Sequence, residues 1–316
     1  MKRRLFAAGL LAVPAVARAQ STPLRLIVPA PPGGSTDILA RVLGERAGAL
    51  LGQVVLVDNR GGAGGIIGTE AAARAAPDGN TIILGHNQTH ASNQSMVRAL
   101  PYHVVNSFTP IARLATVHHG TVVPANSRAR SMAGLIELGR GGRRASYASS
   151  QAGSASHVIA ETLVRRSGMD AVHVPYRGGG PATQDTVAGV VDFYVSTWPG
   201  VVTLVRENQL LALSIGANER LEDFPDVPTV RQAGVPFMNV DAWFGLFAPR
   251  GVGGERVARL SEAFLEALAQ PAVAARATQL GLYAAPLGPA EFAVFQEAEV
   301  RRWQEMAVLT GIMMES

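Results

Sequence analysis

Two loops in this 316-residue chain carry residue types suited to holding an anion. The first, PPGGSTD at 31–37, follows a β-branched run and opens a helical pattern; the second, SSQAGSAS at 149–156, does the same. Such a loop turns backbone N–H groups outward at the positive end of a helix dipole, where negative charge is stabilised. Ser35 and Thr36 add hydroxyls to the first loop, and Ser149, Ser150 and Ser154 add them to the second. Hydroxyls and amides suit carboxylate oxygens. The same residues also serve ordinary βα turns, where glycine gives tight geometry and Ser or Asp caps the helix.

Other chemistries find less support. PPGGSTD lacks the Gly-Lys-Ser/Thr that ends a phosphate-binding P-loop. NRGGAGGIIGTE follows a strand and opens a helix, but a Gly62–Gly64 frame puts Ile67 where the dinucleotide fingerprint needs its third glycine. A Gly65–Gly68 frame instead begins at Ala63. Ser154, Ser156 and His157 crowd together in GSASH without a Gly-x-Ser-x-Gly elbow. An exported serine-type hydrolase or isomerase built on Ser154 and His157 is therefore the alternative reading. His86 and His90 have i, i+4 spacing but no His-Glu-x-x-His pattern, so no metal and no cofactor are expected. Trp198 and Trp243 suit either a pocket wall or the core.

Composition narrows the setting. MKRRLFAAGLLAVPAVARAQ reads as a signal peptide over 1–19, with a basic start, an apolar run and Ala17-Arg18-Ala19 as cleavage site. Arg3-Arg4 leaves twin-arginine export open beside the general route. Losing Lys2, Arg3, Arg4 and Arg18 leaves 24 arginines against 24 acidic residues, so no nucleic-acid partner is expected. The absence of cysteine excludes disulfides, thiolate metal sites and a lipid-modified cysteine. A monomer that is periplasmic and soluble after cleavage is the expectation. The length suggests two domains.

The elements that must position these loops follow from periodicity. Strands are expected at 24–30, 53–59, 80–85, 120–127, 143–149, 171–176, 190–196, 210–217 and 242–249, and helices after 35, at 68–76 and at 156–168. Beyond 249 only helix is expected, over 255–270 and 289–311. Alternation of this kind implies largely parallel sheets covered by helices.

The segment from IVPAPPGGSTDILARVLG to NTIILG resembles the start of Bug-type extracytoplasmic solute receptors of the tripartite tricarboxylate transporter class. The likeness continues through NSFTPIARLA, YASSQAGSASHVIAETL, HVPYRGGGPATQDTVAGVVDFYV, FPDVPTVRQAGVP and DAWFGLFAPRG, across essentially the whole mature chain. The resemblance implies an α/β, two-lobed periplasmic-binding-protein type II (Venus-flytrap) fold, each lobe a mostly parallel sheet flanked by helices. Strands near Thr121–Pro124 and Trp243–Pro249 would cross between lobes. Lobe one would be 20–122 with 242–316, and lobe two 123–241. A small organic carboxylate would sit in the interlobe cleft for handover to membrane permease subunits, although a ligand-sensing subunit of a membrane receptor would look the same.

Carried onto this sequence, the first-lobe loop is Pro32, Gly33, Gly34, Ser35, Thr36 and Asp37, with His86 and Asn87 nearby. The second-lobe loop runs from Ser149 and Ser150 through Gly153 to Ser154, with Ser196 at a strand end. Two departures bear on the ligand. Gln151-Ala152 stands where the family often has Gly-Thr, and Ser196 stands where it commonly has Asp. A carboxylate at the latter position would pair with an amino group, so its loss points to a carboxylate without a nearby ammonium.

Overall fold

The computed structural model describes residues 22–33 and 35–313. The expected signal peptide over 1–19 and Gly34 lie outside the described residues, as does the side chain of Ser35.

The first half of the chain forms β1 (Leu24–Val28), α1 (Ser35–Leu51), β2 (Val55–Asn59), α2 (Ile66–Ala73), β3 (Thr81–His86), α3 (Asn93–Met96), β4 (Phe108–Val117) and β5 (His119–Pro124). A π turn, Gln88–Ser92, joins β3 to α3. Next come α4 (Met132–Arg140), β6 (Ala145–Ser149), α5 (Ala155–Ser167), β7 (Ala171–Pro175), α6 (Gly179–Val187), β8 (Phe193–Thr197), α7 (Val202–Arg206) and β9 (Leu210–Ile215). The chain ends with β10 (Ala242–Pro249), α8 (Gly254–Ala269), α9 (Pro271–Gln279), β11 (Tyr283–Leu287) and α10 (Pro289–Thr310).

These strands build two sheets, ordered β11-β4-β10-β3-β1-β2 and β7-β6-β8-β5-β9. The expected parallel pairing holds for β1 with β2 and β3, and for β6 with β7 and β8. The other pairs are antiparallel, so both sheets are mixed. The reason lies in the strands around the passage between sheets. β4 and β5 are nearly one extended run broken at His118; β5, which follows the outward passage, and β10, which follows the return, each run opposite to both of the strands they pair with. The division expected at 122/123 falls inside β5, all of which pairs within the second sheet; the outward passage is at His118. The return passage reaches β10 through Val240 and Asp241.

The reading that only helix follows residue 249 is corrected by β11, and β4 was likewise missed. Both contain proline, which weakens a strand pattern because proline cannot donate to the ladder. β11 (YAAPL) tolerates Pro286 at the sheet edge. Pro110 in β4 lies opposite Phe247, where the β10–β4 register shifts.

Amphipathic helices cover the sheets. α8 buries Val257, Leu260, Phe264, Ala267 and Leu268, an i, i+3, i+4 stripe, against the first sheet. Each large apolar side chain buried this way contributes about 1.5–3 kcal/mol. The largest apolar cluster bridges both sheets, linking Phe108, Trp243, Phe292 and Trp303 to Tyr147, Val158, Ile159 and Phe193. α10 spans the join, packing on β4 and α5.

Candidate functional site

The carboxyl ends of β1, β3, β6 and β8 run into loops that border one cleft of about 560 Å³ between the sheets. Ligands of open α/β sheets bind at such strand ends. From the first sheet's loops, Gly33, Thr36, His86 and Asn87 line the cleft; from the second, Ser150, Ser154 and Ser196 do.

Pro32, Asp37, Ser149 and Gly153 are not among the described lining residues. Pro32 is exposed. Asp37 is buried and accepts from the Gly33 N–H at 2.9 Å while pairing with Arg41 at 2.9 Å. Arg41 in turn donates to Asn59, whose amide holds the Ala30 carbonyl. Asp37 therefore fastens the first loop rather than facing the cleft. Burial pushes its carboxyl up, but the bonds from Arg41, Gly33 and Asn59 outweigh this and hold it below the ordinary carboxylate range. Gly33 has φ of 84°, a left-handed turn that glycine adopts without strain.

The second loop is fastened in a similar way. The Ser149 hydroxyl is fully buried, donating to the Gln151 carbonyl at 3.0 Å and lying 2.6 Å from His173 Nε2. Gly153 donates its N–H to His157 Nδ1 at 3.0 Å, and Ser150 donates its N–H to Ser156 Oγ at 3.0 Å. Ser154 caps α5, its Oγ accepting from the His157 N–H and donating to the Gln151 carbonyl. The Ser154 hydroxyl thus engages the His157 backbone, while the imidazole serves Gly153. The nucleophile-and-base pair that the hydrolase reading needs is not formed by these two residues. Burial, with His173 stacked at 3.7 Å, pushes the His157 imidazole down to about 4.

With the Gly33, Ser150 and Gly153 amides committed internally, the amides left for a ligand are those of the first helical turns. α1, α5 and α6 all start at the cleft, contributing Thr36 and Ile38, Ala155 and Ser156, and Gly179, Gly180 and Thr183. First-turn N–H groups have no acceptor within their helix. A side chain at Gly180 would meet nothing within 4 Å, so the α6 backbone stands open to the cleft.

Tyr194 completes the lining, with its hydroxyl among those of Ser196, Ser156 and Ser150. Burial keeps it protonated, pushing it up to about 12. Across the cleft His86 is pushed down to about 4 by burial, and burial likewise lowers His119, whose Nδ1 lies 2.8 Å from the Val240 carbonyl. Among the described lining residues there is no Asp, Glu, Lys or Arg. The described lining mixes uncharged polar groups with apolar ones, Phe244, Leu280 and Leu282 among them.

Sequence reasoning missed several of these groups. The run Gly178-Gly179-Gly180 at the start of α6 was a signal equal to the two loops singled out. Tyr194 shares a strand face with Ser196 by the period of two, so one implied the other. Gln279, Leu280 and Leu282 come from the corner before β11 and were lost with that strand. His90 leaves the His86 pair altogether, stacking on Phe247 at 4.0 Å in the core.

Two α/β sheets joined by two passages, with a cleft between them at their strand ends, define the architecture of a periplasmic binding protein. The family described as tripartite tricarboxylate transporter family receptor matches residues 39–311, and the chain belongs to that family. It is 35% identical over 292 residues to BugT of Bordetella pertussis, covering 92% of this chain and 89% of BugT. The structure of MatC from Rhodopseudomonas palustris with bound malate is 34% identical with a TM-score of 0.81, covering 90% of this chain and 98% of MatC. That of R. palustris Rpa4515 with adipate is 29% identical with a TM-score of 0.86, covering 93% of this chain and 98% of Rpa4515. No helix among the described residues is long and apolar enough to cross a membrane.

Proposed function

We propose that this receptor works in the periplasm, after removal of residues 1–19, and captures a small carboxylate without an ammonium group in the cleft between two lobes. One lobe is built on the first sheet and the other on the second, hinged at His118 and at Val240-Asp241. Gly33, Thr36, His86 and Asn87 face the ligand from one side, and Ser150, Ser154, Ser196, Tyr194 and the α6 start from the other. The lobes close on the ligand, and the closed form is what membrane permease subunits recognise.

One observation carries this reading: three helix N-termini and a set of hydroxyls converge on a cleft whose described lining has no charged side chain. An anion there meets donors and no repelling carboxylate, while an ammonium meets no counter-ion. Each helix terminus contributes about 0.3–1 kcal/mol, or up to ~2 when partly buried. Hydrogen bonds to a charged group add about 1.5–3 kcal/mol each. Micromolar affinity requires about 8 kcal/mol after association entropy, so both sides must take part. The malate and adipate seen in two related structures are carboxylates without ammonium, which supports the same ligand class.

Isothermal titration against malate, succinate, adipate and aspartate tests the assignment. Binding of at least one of the first three at micromolar strength, with aspartate at least tenfold weaker, is expected. Preference for aspartate, or no carboxylate binding at all, would overturn it.

A further inference from the structure

Gln88 and Gln151 come from opposite sheets and meet at Gly64. A Cβ placed on Gly64 would lie 3.0 Å from Gln88 Nε2 and 3.1 Å from Gln151 Nε2, so both amide nitrogens reach the same point. Gly64 sits in a single helical turn, Ala63–Gly65, with φ of 65°, and its lack of a side chain is what admits both amides. Gln88 lines the cleft. Its Nε2 is buried and has no acceptor among the described residues. A buried amide without a partner is costly, by the desolvation it has undergone.

The backbones that carry the two glutamines are fixed. The Gln88 N–H donates to His86 Nδ1 at 3.3 Å, and the Gln151 carbonyl accepts from Ser149 and Ser154. These bonds use the backbone of each residue, and both side-chain amides lie beside Gly64.

We propose that Gln88 and Gln151 form an amide clasp, in which Gln88 donates its free N–H to an oxygen at the second end of the bound ligand and Gln151 positions it from the opposite lobe. This rests on the carboxylate reading above and adds to it that the ligand is acidic at both ends. One carboxylate lies at the helix starts and the other reaches the clasp. The pair is neutral, so it supplies donors without a cation and favours an oxygen over an amine. It forms only when the two sheets approach, so ligand length is read at closure. The glycine that the resemblance implies at position 151 has no side chain to reach Gly64, which makes the clasp a property of this chain's Gln151.

The test compares acids of equal length, succinate with butyrate and adipate with hexanoate, on the mature protein and on Gln88→Ala, Gln151→Ala, the double variant and Gln88→Glu. Calorimetry gives affinity and thermal unfolding reports folding. Gln88→Ala should weaken the preferred diacid at least tenfold and leave the matching monoacid within twofold. Gln151→Ala should lower the same diacid-to-monoacid ratio, and the double variant should be no weaker than the weaker single one. Gln88→Glu, isosteric with the native side chain, should abolish diacid binding with unchanged thermal stability. Equal losses for both acids, no loss for either, or a wild type that does not distinguish them would overturn the clasp while leaving the cleft reading intact. A wild type that binds neither these four acids nor malate would remove the cleft reading itself, and the clasp with it.

Discussion

His118 Nδ1 lies 2.8 Å from Asp241 Oδ1, so the outward and return passages between the sheets are tied to each other. The neighbouring residues repeat the connection, His119 Nδ1 meeting the Val240 carbonyl at 2.8 Å. Just beyond, Trp243 donates its indole N–H to Glu299 of α10 at 3.0 Å, and Arg302 of the same helix donates to the Asn239 carbonyl. The two passages are thus held side by side over a cluster of packed side chains that bridges the sheets. On the proposed closure, bending there would leave each sheet intact, so the cleft would open and close as the motion of two bodies.

Asp37 should stabilise the fold in a pH-dependent way. Asp37→Asn removes the charge that holds Gly33 and Arg41, and is expected to cost about 1–3 kcal/mol at neutral pH. Because the folded carboxyl titrates below its ordinary value of 3.8, this contribution is present above that value and fades as pH falls through the lower, folded one. Urea unfolding of both proteins from pH 7 down to 3 should show the gap narrowing only at the acid end.

His157 should make acid destabilise the second loop. Its imidazole titrates near 4 when folded against an ordinary 6.5, so the unfolded chain takes up a proton first. Stability from this group is therefore full above about pH 6.5 and falls as pH drops toward 4, by at most about 3 kcal/mol. Protonation also puts a hydrogen on Nδ1, which then cannot accept from Gly153. His157→Asn is expected to flatten the decline in stability over this range, and ligand affinity of the wild type should drop only as pH approaches about 4, where the folded imidazole itself takes a proton.

Tyr194→Phe deletes one hydroxyl from the cleft and leaves the ring packed in the second sheet's apolar cluster. Carboxylate affinity measured by calorimetry should fall about 10–150-fold, the value of a hydrogen bond to a charged group. Unfolding should shift by no more than about 1.5 kcal/mol, because Ser150, Ser156 and Ser196 can bond to one another.

Much of this architecture was legible in the sequence because strands such as β1, β6 and β10 are short apolar runs bounded by turn residues. The loops after β1 and β6 were legible for the same reason, their glycines and hydroxyls marking strand-to-helix turns. What a loop's side chains do was not. Asp37 and Ser149 have the chemistry of ligand contacts, yet both are spent on the loop's own backbone or on neighbouring side chains, Arg41 and the half-buried His173, and only packing decides that. β4 and β11 hid behind proline. Gln88 and Gln151 are 63 positions apart, and although Gln151 stood out as a departure from the family pattern, nothing linked it to Gln88; their meeting depends on how the two sheets face each other.

The central claim is that a carboxylate closes the two lobes. Small-angle X-ray scattering of the mature protein, with and without a saturating concentration of whichever acid binds most tightly, measures this directly. The account predicts a smaller radius of gyration and maximum dimension with ligand, reversed on dialysis, whereas binding with an unchanged scattering profile would contradict it.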